Sequence, residues 1–257
     1  MINLQAQMDR DTDIGGPRHR FPVTSHSAIV AAASEDQQIR QRALETIVAS
    51  YWKPAYKYLR IKWQASNEDA KDLTQGFFTT AIEKGYFAAY DGSRASFQTF
   101  FRTCLDRFVA NQKKAEHRLK RGARADHLSL DFESAESELA SHLPAKGLSP
   151  DDFFHREWVR SLFMLALETL RKSCEQSGRS VHFQLFELYD LHDDSEEKIS
   201  YASLADRFEL KTTDVTNYLA ATRRDFRKIL LEKVRELTGT DEEFRAQARS
   251  LLGVEVK

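Results

Sequence analysis

The sequence predicts an all-α protein with two small helical domains joined by a long acidic linker, the second domain containing a helix-turn-helix. Three observations support this fold class. Apolar residues recur with the helical period over long segments, no segment alternates as a strand does, and a polar segment with Gly and Pro separates two groups of helices. The predicted divisions are a mobile N-terminal segment (1–23), a first domain (24–121), the linker (122–152), a second domain (153–238) and a helical tail (239–257).

The first domain is predicted to contain four helices. A short helix covers 25–33, and a longer one covers 37–62, where Pro54 interrupts or kinks it. Ser66 or Asn67 caps a third helix, which Gly85 ends. After a loop over 90–96, a fourth helix spans 97–121, with an apolar first half and a basic second half.

The linker and the second domain follow. The linker has poor periodicity, an acidic bias and three helix breakers, Pro144, Gly147 and Pro150. Amphipathic helices are then predicted over 153–174 and 181–191, and a last helix lies near 241–252.

The stretch "SYASLADRFELKTTDVTNYLAATRRDFRKIL", residues 200–230, predicts two helices joined by a tight turn. Small Ala205 permits their close approach, Val215 fills their junction, and Thr212 is the expected N-cap of the second helix. The turn residue is Glu209, where a left-handed conformation costs a non-glycine residue about 1 kcal/mol, so a slightly remodelled turn is expected. The motif alone leaves open a plain helical hairpin in an all-α core.

Composition restricts the class of protein. Of 257 residues, 41% are hydrophobic and 30% charged, as in soluble globular proteins, and no run approaches the roughly twenty apolar residues of a membrane span. The only cysteines, Cys104 and Cys174, are far apart, and no secretory signal opens the chain. A cytoplasmic protein without membrane contact is therefore expected.

Charge is segregated although the formal net charge is only −1. Residues 102–124 hold eight lysines and arginines against two acids, whereas residues 126–157 hold eight acids against two basic residues. A concentrated basic segment favours contact with nucleic acid. A further hypothesis is that the acidic linker and the tail regulate this contact by masking the charge of the basic helix.

Three segments, in this order, resemble the extracytoplasmic-function group of bacterial sigma factors. The stretch "YWKPAYKYLRIKWQASNEDAKDLTQGFF" resembles the start of region two, whose pattern ends in Asp-Leu-x-Gln-x-x-Phe; "SFQTFFRTCLDRFVANQKKAEHR" resembles the end of region two; and the helix-turn-helix resembles region four. The resemblance covers roughly residues 21–252.

The resemblance implies three sets of site residues. Those expected to bind core RNA polymerase are Asp69, Asp72, Leu73, Gln75 and Phe78. The surface expected to bind melted promoter DNA comprises the loop 90–96 together with Gln98, Arg102, Arg107, Asn111, Lys113, Lys114 and Arg118. Those expected to bind the upstream promoter box as duplex are Thr213, Thr216, Asn217, Tyr218, Arg223, Arg224 and Arg227.

Two positions depart from the family pattern. Phe100 stands where the family often has Trp in region two. Thr216 and Tyr218 stand where region four often carries basic residues. Because these residues add no positive charge to the helix that enters the groove, a modest duplex affinity is expected.

The function predicted from the resemblance is that of a sigma factor, with core RNA polymerase and promoter DNA as partners and an anti-sigma factor left open. The alternative is a free-standing helix-turn-helix regulator that does not bind polymerase. A third alternative, a hydrolase using Glu68, Asp69 and Asp72, is disfavoured because no His with ligand spacing lies near them in sequence. No enzymatic activity, cofactor or metal is therefore expected.

Overall fold

The protein is all-helical, as predicted. A computed structural model describes residues 27–116, 128–141, 147–191 and 199–253, and across these ranges it has no strand. The α-helices are α1 (Ala28–Ala31), α2 (Gln37–Lys62), α3 (Asn67–Glu83), α4 (Phe97–Glu116), α5 (Phe132–Ser141), α6 (Pro150–Gln176), α7 (Ser180–Asp190), α8 (Tyr201–Phe208), α9 (Thr212–Glu236) and α10 (Asp241–Leu252). A short 3-10 helix, Tyr86–Ala89, lies between α3 and α4.

Hydroxyl and carboxylate side chains set where several helices begin. Ser66 accepts a hydrogen bond from the Asp69 backbone N–H (3.1 Å), which confirms the predicted start of α3. Ser149 caps α6 in the same way, with Pro150 at the first helical position. These caps supply acceptors for N–H groups that have no partner within the helix.

Helix α2 forms the centre of the core and runs through Pro54 without ending there. It packs against α1, α3, α5 and α6. The ring of Tyr51 is fully buried, and its centroid lies 4.6 Å from that of Phe101 on α4 and 6.3 Å from that of Trp158 on α6. Helix α6, assigned to the second domain from sequence, thus packs on the main helix of the first.

A single cluster of buried hydrophobic residues extends from Ala28 and Ile29 in α1 to Leu251 in α10. The cluster contains residues from both predicted domains and from the predicted linker. The division into two domains stays a prediction, and the described helices share one continuous core.

Helix α5 lies inside the predicted linker and was missed from the sequence. Its buried residues are Phe132, Ala135 and Leu139, at spacings of three and four residues, and the Phe132 ring lies 5.5 Å from that of Trp52 on α2. Three apolar positions in ten residues are a weak helical signal, and packing against α2 is what makes this segment bury them.

Candidate nucleic-acid interface

Helices α8 and α9 are joined by a short turn at Glu209. This residue adopts the left-handed conformation (φ 55°, ψ 41°), and the Leu210 N–H donates to the Ala205 carbonyl at 2.9 Å. The expected remodelling of the turn is wrong, since Glu209 accepts the conformation usually given to glycine. Val215 is fully buried at the junction, and α9 begins one residue earlier than predicted, with Lys211 rather than Thr212 as its N-cap.

The first two turns of α9 present three of the predicted DNA-binding side chains to solvent. Thr213, Thr216 and Asn217 are exposed, although the Thr216 hydroxyl donates to the Thr212 carbonyl at 3.0 Å. Tyr218 is half-buried because its ring stacks on His182 of α7, with 3.9 Å between the centroids. The exposed side chains are therefore short and polar, and they lie together at the N-terminal end of α9.

Arg223 has a structural position instead of an exposed one. Its guanidinium donates to both carboxylate oxygens of Asp190 on α7, with the shortest distance 3.0 Å, and the two side chains are 15% and 7% exposed. Burial raises the pKa of Asp190, and Arg223 opposes this rise. The predicted DNA contact of Arg223 is not compatible with this pairing, whereas Arg224 is exposed and Arg227 half-buried.

On α4, the two predicted residues nearest its N-terminus contact α6. The buried Gln98 side-chain oxygen lies 3.0 Å from Nδ1 of His155. Arg102 forms a 2.7 Å ion pair with Asp151, an acid of the predicted linker, and its guanidinium lies 5.8 Å from the Phe154 ring centroid. Neither side chain faces solvent freely, so in this arrangement neither is available to DNA.

The other end of α4 is exposed and basic. Arg107, Asn111, Lys113 and Lys114 are exposed, and the Lys113 ammonium lies 4.9 Å from the ring centroid of Trp63. Arg118 lies outside the described residues. The carboxylate of Asp106 accepts hydrogen bonds from Lys62 (2.8 Å) and from the Trp63 indole (2.9 Å), so its charge is compensated within the protein.

The residues predicted to bind polymerase divide into exposed and buried members. Asp69 and Asp72 are exposed on α3, and Leu73 and Gln75 are half-buried. Phe78 is fully buried among aromatic rings, 5.3 Å from Phe77 and 5.8 Å from Phe101 between centroids, so its predicted role as a contact residue is not compatible with its position. Phe78 is a core residue here.

Acidic residues of the predicted linker bind α2 rather than the basic end of α4. Glu136 pairs with Arg60 at 2.7 Å, and Glu138 pairs with Lys53 at 2.6 Å and with Lys57 at 2.7 Å. Lys57 also pairs with Glu157 of α6 at 2.6 Å. The sequence showed acids but not their partners. Asp151, another acid of the predicted linker, pairs with Arg102 of α4 at 2.7 Å, so one of the acids proposed to mask the basic helix does contact it.

Glu243 of α10 is a further residue that the sequence analysis missed. Its carboxylate accepts hydrogen bonds from the Phe97 N–H at the start of α4 (2.9 Å), from the Gly239 N–H (2.9 Å) and from the Tyr90 hydroxyl (3.2 Å). Nothing local in the sequence points to this contact, since Phe97 and Glu243 are 146 residues apart.

Comparisons with known proteins place the chain in no family: no family model, no curated protein and no solved structure matches it. Within the described ranges, no group of three or more His, Cys, Asp or Glu side chains is arranged to hold a metal ion. The helices in those ranges also include none that is long and apolar enough to cross a membrane.

Proposed function

We propose that this chain is a transcription-initiation factor of the sigma type, which binds core RNA polymerase through α3 and promoter DNA through α9 and the basic end of α4. The observation that carries the DNA-binding part of the proposal is the α8–α9 helix pair. Its tight turn at Glu209 presents Thr213, Thr216 and Asn217 together, and the Asp190–Arg223 pair holds α9 against α7.

The exposed side chains of α9 suit contact with duplex DNA. The amide of Asn217 both donates and accepts hydrogen bonds, as base edges in the major groove require. Further along α9, Arg224 and Lys228 are exposed and positively charged, which suits contact with phosphates. The N-terminal end of α9 would thus contact bases, and the following basic part of the same helix would contact the DNA backbone.

The end of α4 suits contact with single-stranded DNA. Arg107, Lys113 and Lys114 supply positive charge, and the half-buried indole of Trp63 lies beside Lys113. Positive side chains that contact the phosphates of single-stranded DNA, together with an aromatic ring on which a base stacks, bind single strands without strong sequence preference.

Helix α3 supports the polymerase contact with a smaller surface than the resemblance implies. Asp69 and Asp72 remain exposed, with half-buried Leu73 and Gln75 beside them. Exposed carboxylates next to apolar area form the mixed surface of many non-obligate protein interfaces.

A second candidate is a DNA-binding regulator that does not bind polymerase. The specific observation in its favour is the burial of Phe78 and Gln98 and the pairing of Arg102 with Asp151, which together remove three residues from the surfaces that a sigma factor uses by resemblance. The helix pair α8–α9 serves both candidates equally, so polymerase binding discriminates between them.

The test is a pull-down of bacterial core RNA polymerase with the purified chain, followed by run-off transcription from a promoter library. Asp72→Arg is the test variant. Glu83→Arg, the same charge reversal at an exposed position near the end of α3, is its matched control. We expect Asp72→Arg to weaken polymerase binding, because reversal of an interface charge costs affinity, while Glu83→Arg binds like the parent protein.

Binding of the parent protein with promoter-specific transcripts would support the sigma proposal and identify the promoter boxes. Retained duplex binding without any capture of polymerase would support the free-standing regulator. Equal binding by Asp72→Arg and the parent would refute the assigned polymerase contact.

A further inference from the structure

A cavity of about 150 Å³ is lined by residues of α2, α5 and α6. Helix α2 contributes Trp52 and Lys53 to its wall, and α6 contributes Arg160, Ser161 and Met164. A cavity of this volume can hold a molecule the size of benzene. None of the lining residues belongs to the surfaces assigned above to DNA or to polymerase, so the cavity has no part in the proposed function.

The carboxylates at the cavity are already paired. Glu138 accepts a hydrogen bond from Lys53 on one oxygen (2.6 Å) and from Lys57 on the other (2.7 Å). Glu157 accepts one from Lys57 (2.6 Å) and one from Arg160 (2.8 Å). Each carboxylate oxygen therefore has a cationic donor, and the described side chains that line the cavity include three cations against two acids.

Several donors at the cavity are not used by these acids. Within the described ranges, the Lys53 ammonium donates to Glu138 alone and the Arg160 guanidinium to Glu157 alone, although each group carries further N–H bonds. Ser161 is 7% exposed, and its hydroxyl has no hydrogen-bond partner among the described residues. A buried hydroxyl without a partner is costly, so an anion that accepts from Ser161 and from the two cations would be stabilised here.

The rest of the wall is apolar. Trp52 is half-buried, and its ring meets that of Phe132 on α5 edge to face at 5.5 Å, which fixes its position. Met164 is 57% exposed, so its apolar area is accessible to a ligand, and half-buried Leu165 lies next to it in sequence. Apolar walls with a few polar groups at fixed positions are the usual composition of small-molecule sites.

We propose that this cavity binds a small organic acid with one carboxylate and an apolar group no larger than a single ring. The carboxylate accepts hydrogen bonds from Lys53, Arg160 and Ser161. The apolar group packs against Trp52 and Met164. A cationic ligand would meet the surplus positive charge, and an anion without an apolar part would leave the Trp52 and Met164 side chains uncovered.

The methionine methyl groups of the full-length chain report binding at the cavity itself. The chain has only three methionines, Met1, Met8 and Met164, so a ¹³C methyl spectrum is simple, and the signal lost in Met164→Leu identifies the reporter. The probes are benzoate and butyrate. Their uncharged amides, benzamide and butyramide, test the carboxylate, and inorganic phosphate tests an anion without an apolar part.

We expect at least one of the two acids to shift the Met164 signal saturably, with a Kd of about 1 mM or lower, and its amide to bind about tenfold more weakly. Lys53→Met should weaken binding of the acid about tenfold and Ser161→Ala about fivefold, because each removes a donor to a charged group. Lys172→Met is the matched control, since Lys172 is exposed on α6 and does not line the cavity. It should bind the acid like the parent protein.

The absence of a saturable Met164 shift with both acids would overturn the site. Equal affinity for the acid and its amide, or unchanged affinity in both Lys53→Met and Ser161→Ala, would overturn the carboxylate contact. Phosphate binding as tight as that of the better acid would overturn the apolar contact. Melting curves of each variant separate weaker binding from loss of the fold, and Ser161→Ala, which removes no charge, provides the same test if Lys53→Met unfolds.

Discussion

Replacing Lys57 by methionine is expected to lower the free energy of unfolding by about 3 kcal/mol, the lower end of the range for breaking a buried ion pair. The Lys57 side chain is 1% exposed and its ammonium lies 2.6 Å from the carboxylate of Glu157, which is 6% exposed. Methionine has a similar length and no charge, so the change removes the cation with little loss of packing.

The lower end of the range follows from the partners that remain. Glu157 keeps an ion pair with Arg160 at 2.8 Å, and Glu138 keeps its pair with Lys53 at 2.6 Å. Neither carboxylate is therefore left without a cation, although the buried face of Glu157 loses its nearest partner. For a chain of this size the loss corresponds to a fall in Tm of roughly 6–12 °C.

Urea denaturation followed by circular dichroism at neutral pH measures the change. Lys53→Met is the matched control on the same helix, because the Lys53 side chain is 25% exposed and its removal should cost about 1 kcal/mol or less. A double variant, Lys57→Met with Glu157→Met, should recover most of the loss, since no charge is then left buried. A cost below about 1 kcal/mol for Lys57→Met would refute the claim that this pair is buried and coupled.

Three further predictions concern individual side chains. Burial alone would raise the pKa of Glu138, but its two lysine partners outweigh burial and lower the pKa from 4.5 to about 2. The ionised Glu138 therefore stabilises the fold above pH 4.5, and this contribution is lost as the pH falls toward about 2. Glu138→Gln should remove that part of the acid dependence of the free energy of unfolding, measured from denaturation curves at several pH values. Arg223→Ala should lower the free energy of unfolding by about 3 kcal/mol, because it leaves Asp190 buried and unpaired. Arg224→Ala should leave stability unchanged and reduce the slope of log affinity for duplex DNA against log salt concentration by about 1. Equal losses of stability in the two variants would contradict a structural role for Arg223 and a DNA-binding role for Arg224. Glu209→Gly should raise the free energy of unfolding by about 1 kcal/mol, measured in urea, because it relieves a left-handed conformation; a loss of stability would show that the turn depends on the glutamate side chain.

Local signals in the sequence predicted most of the helices well. The predicted 37–62 helix coincides with α2, and the predicted last helix near 241–252 coincides with α10. The turn at Glu209 was located correctly, although its conformation was not. Periodicity, caps and glycines act over a few residues, so one segment of sequence contains the information that they carry.

The candidate site was less predictable, because exposure depends on partners that are distant in sequence. Arg102 begins the basic segment and Gln98 lies just before it, yet Asp151 and His155 of α6 bind these two side chains. A charged residue on a helix has the same local pattern whether it binds DNA, solvent or a buried acid. Sequence therefore indicated the type of surface on α4 but not which of its cations remain available.

By itself the sequence determined the all-helical class, the bounds of the main helices and the position of the α8–α9 turn. Tertiary structure alone decided which charged residues pair and that Glu243 binds the Tyr90 hydroxyl and the Phe97 N–H. Lys57 meets Glu157 across 100 residues of chain, and Glu243 meets Phe97 across 146. Such contacts form because a buried charge must find an opposite charge or a hydrogen-bond donor, and the packing of the helices determines which one lies within reach.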